Sequence, residues 1–281
     1  MEYALKLQNV CKSYPDFSLS DINITLPQGS IMGFIGANGA GKSTTIKLIL
    51  DLIRRDSGQI TVLGHDNRRN FIAIKEQIGV VMDETCFPES LCAKNIHSIM
   101  KNIYKNWQGE KFAGLLQRFS LPPEKVIKEY SRGMKMKLAL AAALSHNARL
   151  LILDEATSGL DPMVREEILE VFMDFIKDER HSIFISSHIL SDLEKICDRI
   201  TFIHEGKIIF SQPKQQLLAD YGLLKCSADQ FADIDKSAVK AYRSNRFGIE
   251  ALVYKQKMAG DNIADASIED IMLYHIKENI Q

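Results

Sequence analysis

The run Gly36-Ala37-Asn38-Gly39-Ala40-Gly41-Lys42-Ser43-Thr44 holds a glycine, four residues, then Gly-Lys-Ser, directly after the apolar stretch from Ile31 to Ile35. That spacing suits phosphate chemistry. Glycines at 36, 39 and 41 let the backbone curl, so that N–H groups from Gly36 through Asn38, Gly39, Ala40 and Gly41 to Thr44 can face phosphate oxygens. A helix beginning there adds the positive end of its dipole. Lys42 supplies a cation for the β- and γ-phosphates, and Ser43 a hydroxyl for Mg²⁺. Much further along, four apolar residues end in Asp154-Glu155. An acid at the tip of a neighbouring strand is the partner such a loop needs, with Asp154 on Mg²⁺, directly or through water, and Glu155 polarising an attacking water. Such a pair by itself could equally cap a helix; the glycine-rich loop upstream favours the catalytic reading.

The elements that must hold these groups are readable from periodicity. Tyr3 to Val10, Leu19 to Leu26 and Ile31 to Ile35 read as strands, parted by the turn signals Ser13-Tyr14-Pro15-Asp16 and Pro27-Gln28-Gly29. From Lys42, the spacing of Ile46, Ile49, Leu50 and Ile53 predicts a helix, and Gln59 to Leu63 and Ile78 to Met82 return to strands. Two amphipathic helices follow between Leu91 and Phe119, closed by Pro122-Pro123, which suggests an inserted helical subdomain. The apolar runs Leu150 to Leu153 and Ser182 to Ser186 flank a helical pattern, and fully apolar strands alternating with helices mean a parallel sheet covered on both faces. His204-Glu205-Gly206-Lys207 reads as a hairpin turn. Beyond about Ser211 the pattern gives helices at Gln215 to Tyr221 and Ile268 to Ile276, with strands near Leu223 to Cys226 and Gly248 to Tyr254.

Composition narrows the class. With 281 residues, 46% hydrophobic and 25% charged, the chain can bury a sizeable core as one large domain with a small appendage. A net charge of −1 argues against a global basic field, so no nucleic-acid partner is expected. The five cysteines, Cys11, Cys86, Cys92, Cys197 and Cys226, lack paired metal-ligand spacing and point to reduced thiols rather than disulfides or zinc. Neither a targeting segment nor an apolar run of spanning length is expected, so work at a membrane would require spans on another chain.

Together these residues resemble the ATP-binding cassette family, the ATPase subunits of ABC transporters, over roughly residues 3 to 212. Ser158-Gly159-Leu160-Asp161 resembles the D-loop, with Asp161 near the opposite subunit. Ser186-Ser187-His188 resembles the switch region, in which His188 contacts the γ-phosphate. Tyr14 resembles the aromatic residue that stacks on adenine. Tyr130-Ser131-Arg132-Gly133-Met134 resembles the signature motif, usually Leu-Ser-Gly-Gly-Gln, whose Ser131 and Gly133 would meet ATP held by another subunit.

Two of the motifs depart from that pattern. Arg132 and Met134 replace a Gly and a Gln in the signature, and Asp83 stands where a Gln normally ends the strand from Ile78 to Met82. By position Asp83 is a candidate metal ligand or water-orienting group close to Mg²⁺. Beyond it, Thr85 to Ile96 would face the membrane subunit, with Cys86, Phe87 and Pro88 as apolar contacts.

The resemblance implies an α/β fold: a P-loop ABC ATPase with a mixed β-core, an N-terminal antiparallel part, a helical subdomain at about 88–147 within residues 1–212, and a small C-terminal α+β extension at 213–281. It implies ATP and Mg²⁺ as ligands. A head-to-tail pair with a second cassette, identical or different, is implied as well, as is a multi-span permease that holds the chain at the cytoplasmic face of the cell membrane. The short single cassette and its signature are similar to ATPases of bacterial exporters for peptides, antibiotics or lipids. A soluble cassette acting on DNA or ribosomes would share the chemistry, but the repair type needs a long coiled coil and the ribosomal type two cassettes. A small-molecule P-loop kinase would not need Ser131 and Asp161 where they are.

Overall fold

The computed structural model describes residues 2–69, 71–83, 87–246, 248–258 and 263–276. β1 (Tyr3–Ser13) and β2 (Ser18–Pro27) open the chain as an antiparallel pair, and β3 (Ile31–Ile35) runs through the glycine-rich loop into α1 (Lys42–Ile49). β4 (Ser57–Val62) returns to β1, β5 (His65–Asp66) pairs with β4, and α2 (Phe71–Lys75) leads to β6 (Ile78–Val81). The helices α3 (Ala93–Ile103), α4 (Gly109–Arg118) and α5 (Arg132–Leu144) follow. An alternation of β7 (Leu150–Asp154), α6 (Pro162–Phe175), β8 (Ser182–Ser186) and α7 (Leu190–Ile196) then leads to β9 (Arg199–His204) and β10 (Lys207–Pro213). The last part holds α8 (Lys214–Asp220), β11 (Tyr221–Cys226), α9 (Ala228–Ala232), β12 (Val239–Asn245), β13 (Gly248–Tyr254), β14 (Ile263–Asp265) and α10 (Ile268–Ile276).

Among the described residues the central sheet has the order β10-β9-β3-β8-β7-β6, parallel except for the β9–β10 hairpin. Its strands are apolar throughout because both faces are covered, and side chains alternate between two cores. Met32, Phe34, Ile152 and Phe184 point into one core with α1 and the sheet β2-β1-β4-β5. Ile31, Ile35, Leu151, Leu153, Ile183 and Ile185 point into the other, filled by α5, α6 and the helical subdomain. Each fully buried side chain of this size contributes about 1.5–3 kcal/mol before entropy is charged against it.

The C-terminal sheet, β12-β13-β11-β14, is antiparallel. α10 turns Ile268, Ile271 and Tyr274 inward at helical spacing, and these join the second core together with Leu217, Leu223 and Leu252. Glu194 of α7 receives the backbone N–H of Ile268 on its carboxylate at 3.0 Å and Lys214 Nζ on its carbonyl at 2.5 Å, tying this part to the sheet.

The expected fold class holds, including the hairpin, whose Glu205 (φ 44°) and Gly206 (φ 73°) both adopt the positive φ of a two-residue turn. β1 runs on through Ser13, the first residue of the turn signal, and α2, α7, α9, β5, β12 and β14 have no counterpart in the periodicity. Of the cysteines, Cys11, Cys92, Cys197 and Cys226 are free thiols, while Cys86 lies outside the described residues. Among the described residues no helix is long and apolar enough to cross a membrane.

Candidate nucleotide site

Register brings the site together. Phe34 of β3 pairs with Ser186 of β8, and Ser186 pairs with Asp154 of β7, so the carboxyl ends of these parallel strands lie level. β3 has β8 on one side and β9 on the other, and the crevice beyond strand ends at such a branching point is where α/β sheets hold ligands.

The loop after β3 makes the first part of the site. Gly41 caps α1 with φ 113°, and a Cβ there would fall 2.5 Å from Leu19 Cδ2, so conformation and space both require glycine. At Gly36 a Cβ would fall 2.5 Å from the carbonyl oxygen of Ile203. At the crest only conformation asks for glycine: Ala37, Asn38 and Gly39 are exposed, and Gly39 has φ 80° but no heavy atom within 4 Å of a Cβ built on it. The crest, Asp16, Phe17, Ser18, His204 and Glu205 line a cleft of about 490 Å³. Lys42, 6% exposed, donates from Nζ to Gly36 O at 2.7 Å and stands 3.4 Å from Glu155 Oε1. Ser43 and Thr44 open the first turn of α1, Ser43 exposed and Thr44 half-buried.

β7 delivers the acids. Asp154, 3% exposed, accepts from the Ser186 hydroxyl at 2.6 Å. Glu155 has φ 54°, a left-handed backbone costly for a non-glycine residue, and its N–H donates to both Ser186 O and Ser186 Oγ at 3.1 Å. Those bonds aim its carboxylate back toward the loop, where Oε2 meets His188 Nδ1 at 2.6 Å. Lys42, Glu155 and His188 thus form one connected group above the strand ends. Ser186 was legible as part of a switch-like triplet but not as the residue that fixes both acids. Its signal is a hydroxyl closing a mostly apolar strand beside one that ends in an acid.

The remaining candidates are spread around this centre. Tyr14, 44% exposed, lies under Lys12 Nζ at 5.4 Å, while Phe17, unremarked in the sequence, lines the cleft. Asp161 caps α6, its Oδ1 accepting from Val164 N at 3.1 Å, with Pro162 following. Ser131 caps α5 in the same way, accepting from Met134 N at 3.2 Å; it is exposed and Gly133 half-buried. Asp83, expected beside the metal, accepts from Arg132 Nη2 at 2.6 Å. Its neighbours Glu84, Thr85 and Cys86 lie outside the described residues.

The profile of the ABC transporter family matches residues 19–158. The bacitracin transport ATP-binding protein BcrA of Bacillus licheniformis is 37% identical over 220 residues, covering 77% of this chain and 72% of that protein. This chain belongs to the ABC transporter ATP-binding subunits. The lantibiotic transport ATP-binding protein SrtF of Streptococcus pyogenes is 36% identical over 211 residues, covering 74% of this chain and 90% of its own. A solved ATP-binding subunit of an ABC transporter superposes with a TM-score of 0.70 at 26% identity, covering 76% of this chain and 91% of that one. As an ABC ATPase, the chain binds and hydrolyses ATP.

Proposed function

We propose that this subunit pairs with a second cassette, identical or different, and powers a separate multi-span permease that exports peptides, antibiotics or lipids. The observation that carries the pairing is the start of α5. Ser131, Arg132 and Gly133 present a helix N-terminus outward with no acid in its first turn, a surface suited to an anion arriving from outside the chain. ATP held by Lys42 and the loop of one cassette would meet Ser131 and Gly133 of the other, with Asp161 near the junction and Tyr14 or Phe17 stacking on adenine.

Within one chain each residue has a task. Lys42 balances phosphate charge and shifts from loop carbonyls to phosphate oxygens as ligand enters. Glu155 accepts a proton from the attacking water while His188 orients its carboxylate. Ser186 keeps both acids in place. The oxygens of Ser43 and Asp154 make a donor set suited to Mg²⁺, which when bound would neutralise charge on the transferring phosphate.

The permease reading draws on the open edge of the central sheet. Beside β6, Val80, Met82, Phe87, Met100 and Tyr104 line an apolar groove of about 210 Å³. A helix end of a membrane subunit fits there, which would keep the chain peripheral to the membrane at its cytoplasmic face. The relatives named for bacitracin and lantibiotic transport support the cargo class. We also take residues 1–212 as the cassette, with about 88–147 as its helical subdomain, and 213–281 as an accessory segment. Affinity purification from detergent-solubilised membranes tests the assignment: a stoichiometric multi-span protein is expected, and recovery of ribosomes or soluble chains alone would overturn it.

A further inference from the structure

Two of the positions that depart from the family pattern, Asp83 and Arg132, touch each other. Their side chains meet at 2.6 Å although 49 residues separate them in sequence. The same guanidinium lies against Gly159, where a Cβ would come 3.2 Å from its Cζ and Nη1. One cation therefore joins three places: the end of β6, the first turn of α5, and the turn between Glu155 and Asp161.

Electrostatics explains why the two charges belong together. Arg132 is the first residue of α5, where the helix dipole disfavours a cation, and Asp83 is an anion beside a site built for a triphosphate. Either charge alone would work against its surroundings. Paired, they cancel, and the carboxylate also sits near the positive end of α5.

The position of the pair gives it leverage. At the other end of α5 the helix is seated on β6, since a Cβ on Gly79 would fall 2.7 Å from the carbonyl oxygen of Ala143. From Ala143 to Arg132 the helix runs about 17 Å. The start of α5 is thus the far arm of a lever, and Asp83 holds that arm to the strand on which the lever rests.

We propose that Asp83 and Arg132 form a latch that sets where Ser131 and Gly133 stand relative to the loop and Glu155, so that turnover follows the pair rather than either charge. Asp83 is then a positioning residue acting through Arg132. This rests on the reading of Ser131 and Gly133 as the half-site offered to a second cassette.

A charge-exchange cycle in the full-length protein tests it: wild type, Asp83→Arg, Arg132→Asp and the double exchange, followed by kcat and KM for Mg-ATP and by amide hydrogen exchange over residues 131–136. Each single exchange should lower kcat about five- to tenfold with KM within about twofold, and should speed exchange at the start of α5. The double exchange should restore both to within about twofold of wild type. A double variant as impaired as the two singles multiplied would overturn the latch, as would singles that change neither kcat nor hydrogen exchange. So would an Asp83→Arg protein whose main defect is a raised Mg²⁺ requirement, the mark of a lost metal ligand. Wild-type turnover in Ser131→Glu would instead sink the two-cassette reading, and it is scored separately from the cycle.

Discussion

The two halves of the nucleotide machinery are built differently within one chain. Lys42 and Asp154 are 6% and 3% exposed, and Glu155 is held by its backbone to Ser186 and by its carboxylate to His188. At the start of α5, Ser131 is exposed and the side chains of Arg132 and Asp83 are 52% and 51% exposed. In the first half Lys42, Asp154 and Glu155 are held largely out of water, where charges act strongly, and only the His188 side chain, 53% exposed, reaches solvent. The second is held by one solvent-screened ion pair, the kind of contact that exchanges readily. A chain that must open and close on a partner is served by rigidity where bonds change and by compliance where partners meet.

Damage on the rigid side should therefore be the most severe. Glu155→Gln removes the base while keeping a side chain of the same size. Turnover should fall about 10²- to 10⁴-fold, with ATP affinity retained and a dimer trapped by ATP. Phosphate release and light scattering report both, and near-normal turnover would remove Glu155 from the base role. On the compliant side, Ser131→Glu places a carboxylate where a phosphate would arrive. Turnover should drop about 10- to 100-fold, while ATP binding to the isolated chain stays within about twofold. A matching loss of binding in the isolated chain would mean that Ser131 acts on its own nucleotide.

The same contrast governs what was legible in the sequence. Lys42, Asp154, Glu155 and His188 announce themselves because phosphate chemistry restricts residue type and spacing together, and because apolar strands of fixed length lead into them. The partnership of Asp83 with Arg132 could not be read that way. Each was visible as a departure, but contact between residues so distant in sequence depends on how α5 crosses β6, which no local period encodes. β12 was missed for a related reason. Its sequence, VKAYRSN, carries polar residues where a strand needs a clear alternation, and its pairing with β13 supplies the order instead.

A smaller effect separates the two aromatic candidates for adenine. Tyr14 is exposed beneath Lys12, whereas Phe17 lines the cleft beside the loop. Losing a base-stacking ring costs about 1–3 kcal/mol, or about five- to 150-fold in ATP affinity. Measured by a fluorescent ATP analogue, that loss in Tyr14→Ala but not in Phe17→Ala assigns the stacking to Tyr14. The reverse result moves the adenine into the cleft.

The smallest effect concerns the segment that joins the two halves, since α5 passes into β7 through His146. That ring is buried, stacks on Tyr104 at 3.9 Å between centroids, and places Nδ1 3.3 Å from the carbonyl oxygen of Glu76. Burial pushes its pKa below the ordinary histidine value, with Lys111 adding a little in the same direction and contacts with Glu76 opposing. The unfolded chain therefore takes up a proton near pH 6.5 while the folded chain does not. Stability is full above that pH and declines as pH falls through it, at up to about 1.4 kcal/mol per pH unit for one proton. Burial shifts His275 the same way, so His146→Gln should flatten the decline without removing it. Urea midpoints between about pH 7.5 and about pH 5.5 measure the slope. An unchanged slope in His146→Gln would mean that the joint between the rigid and the compliant half takes up its proton without opening.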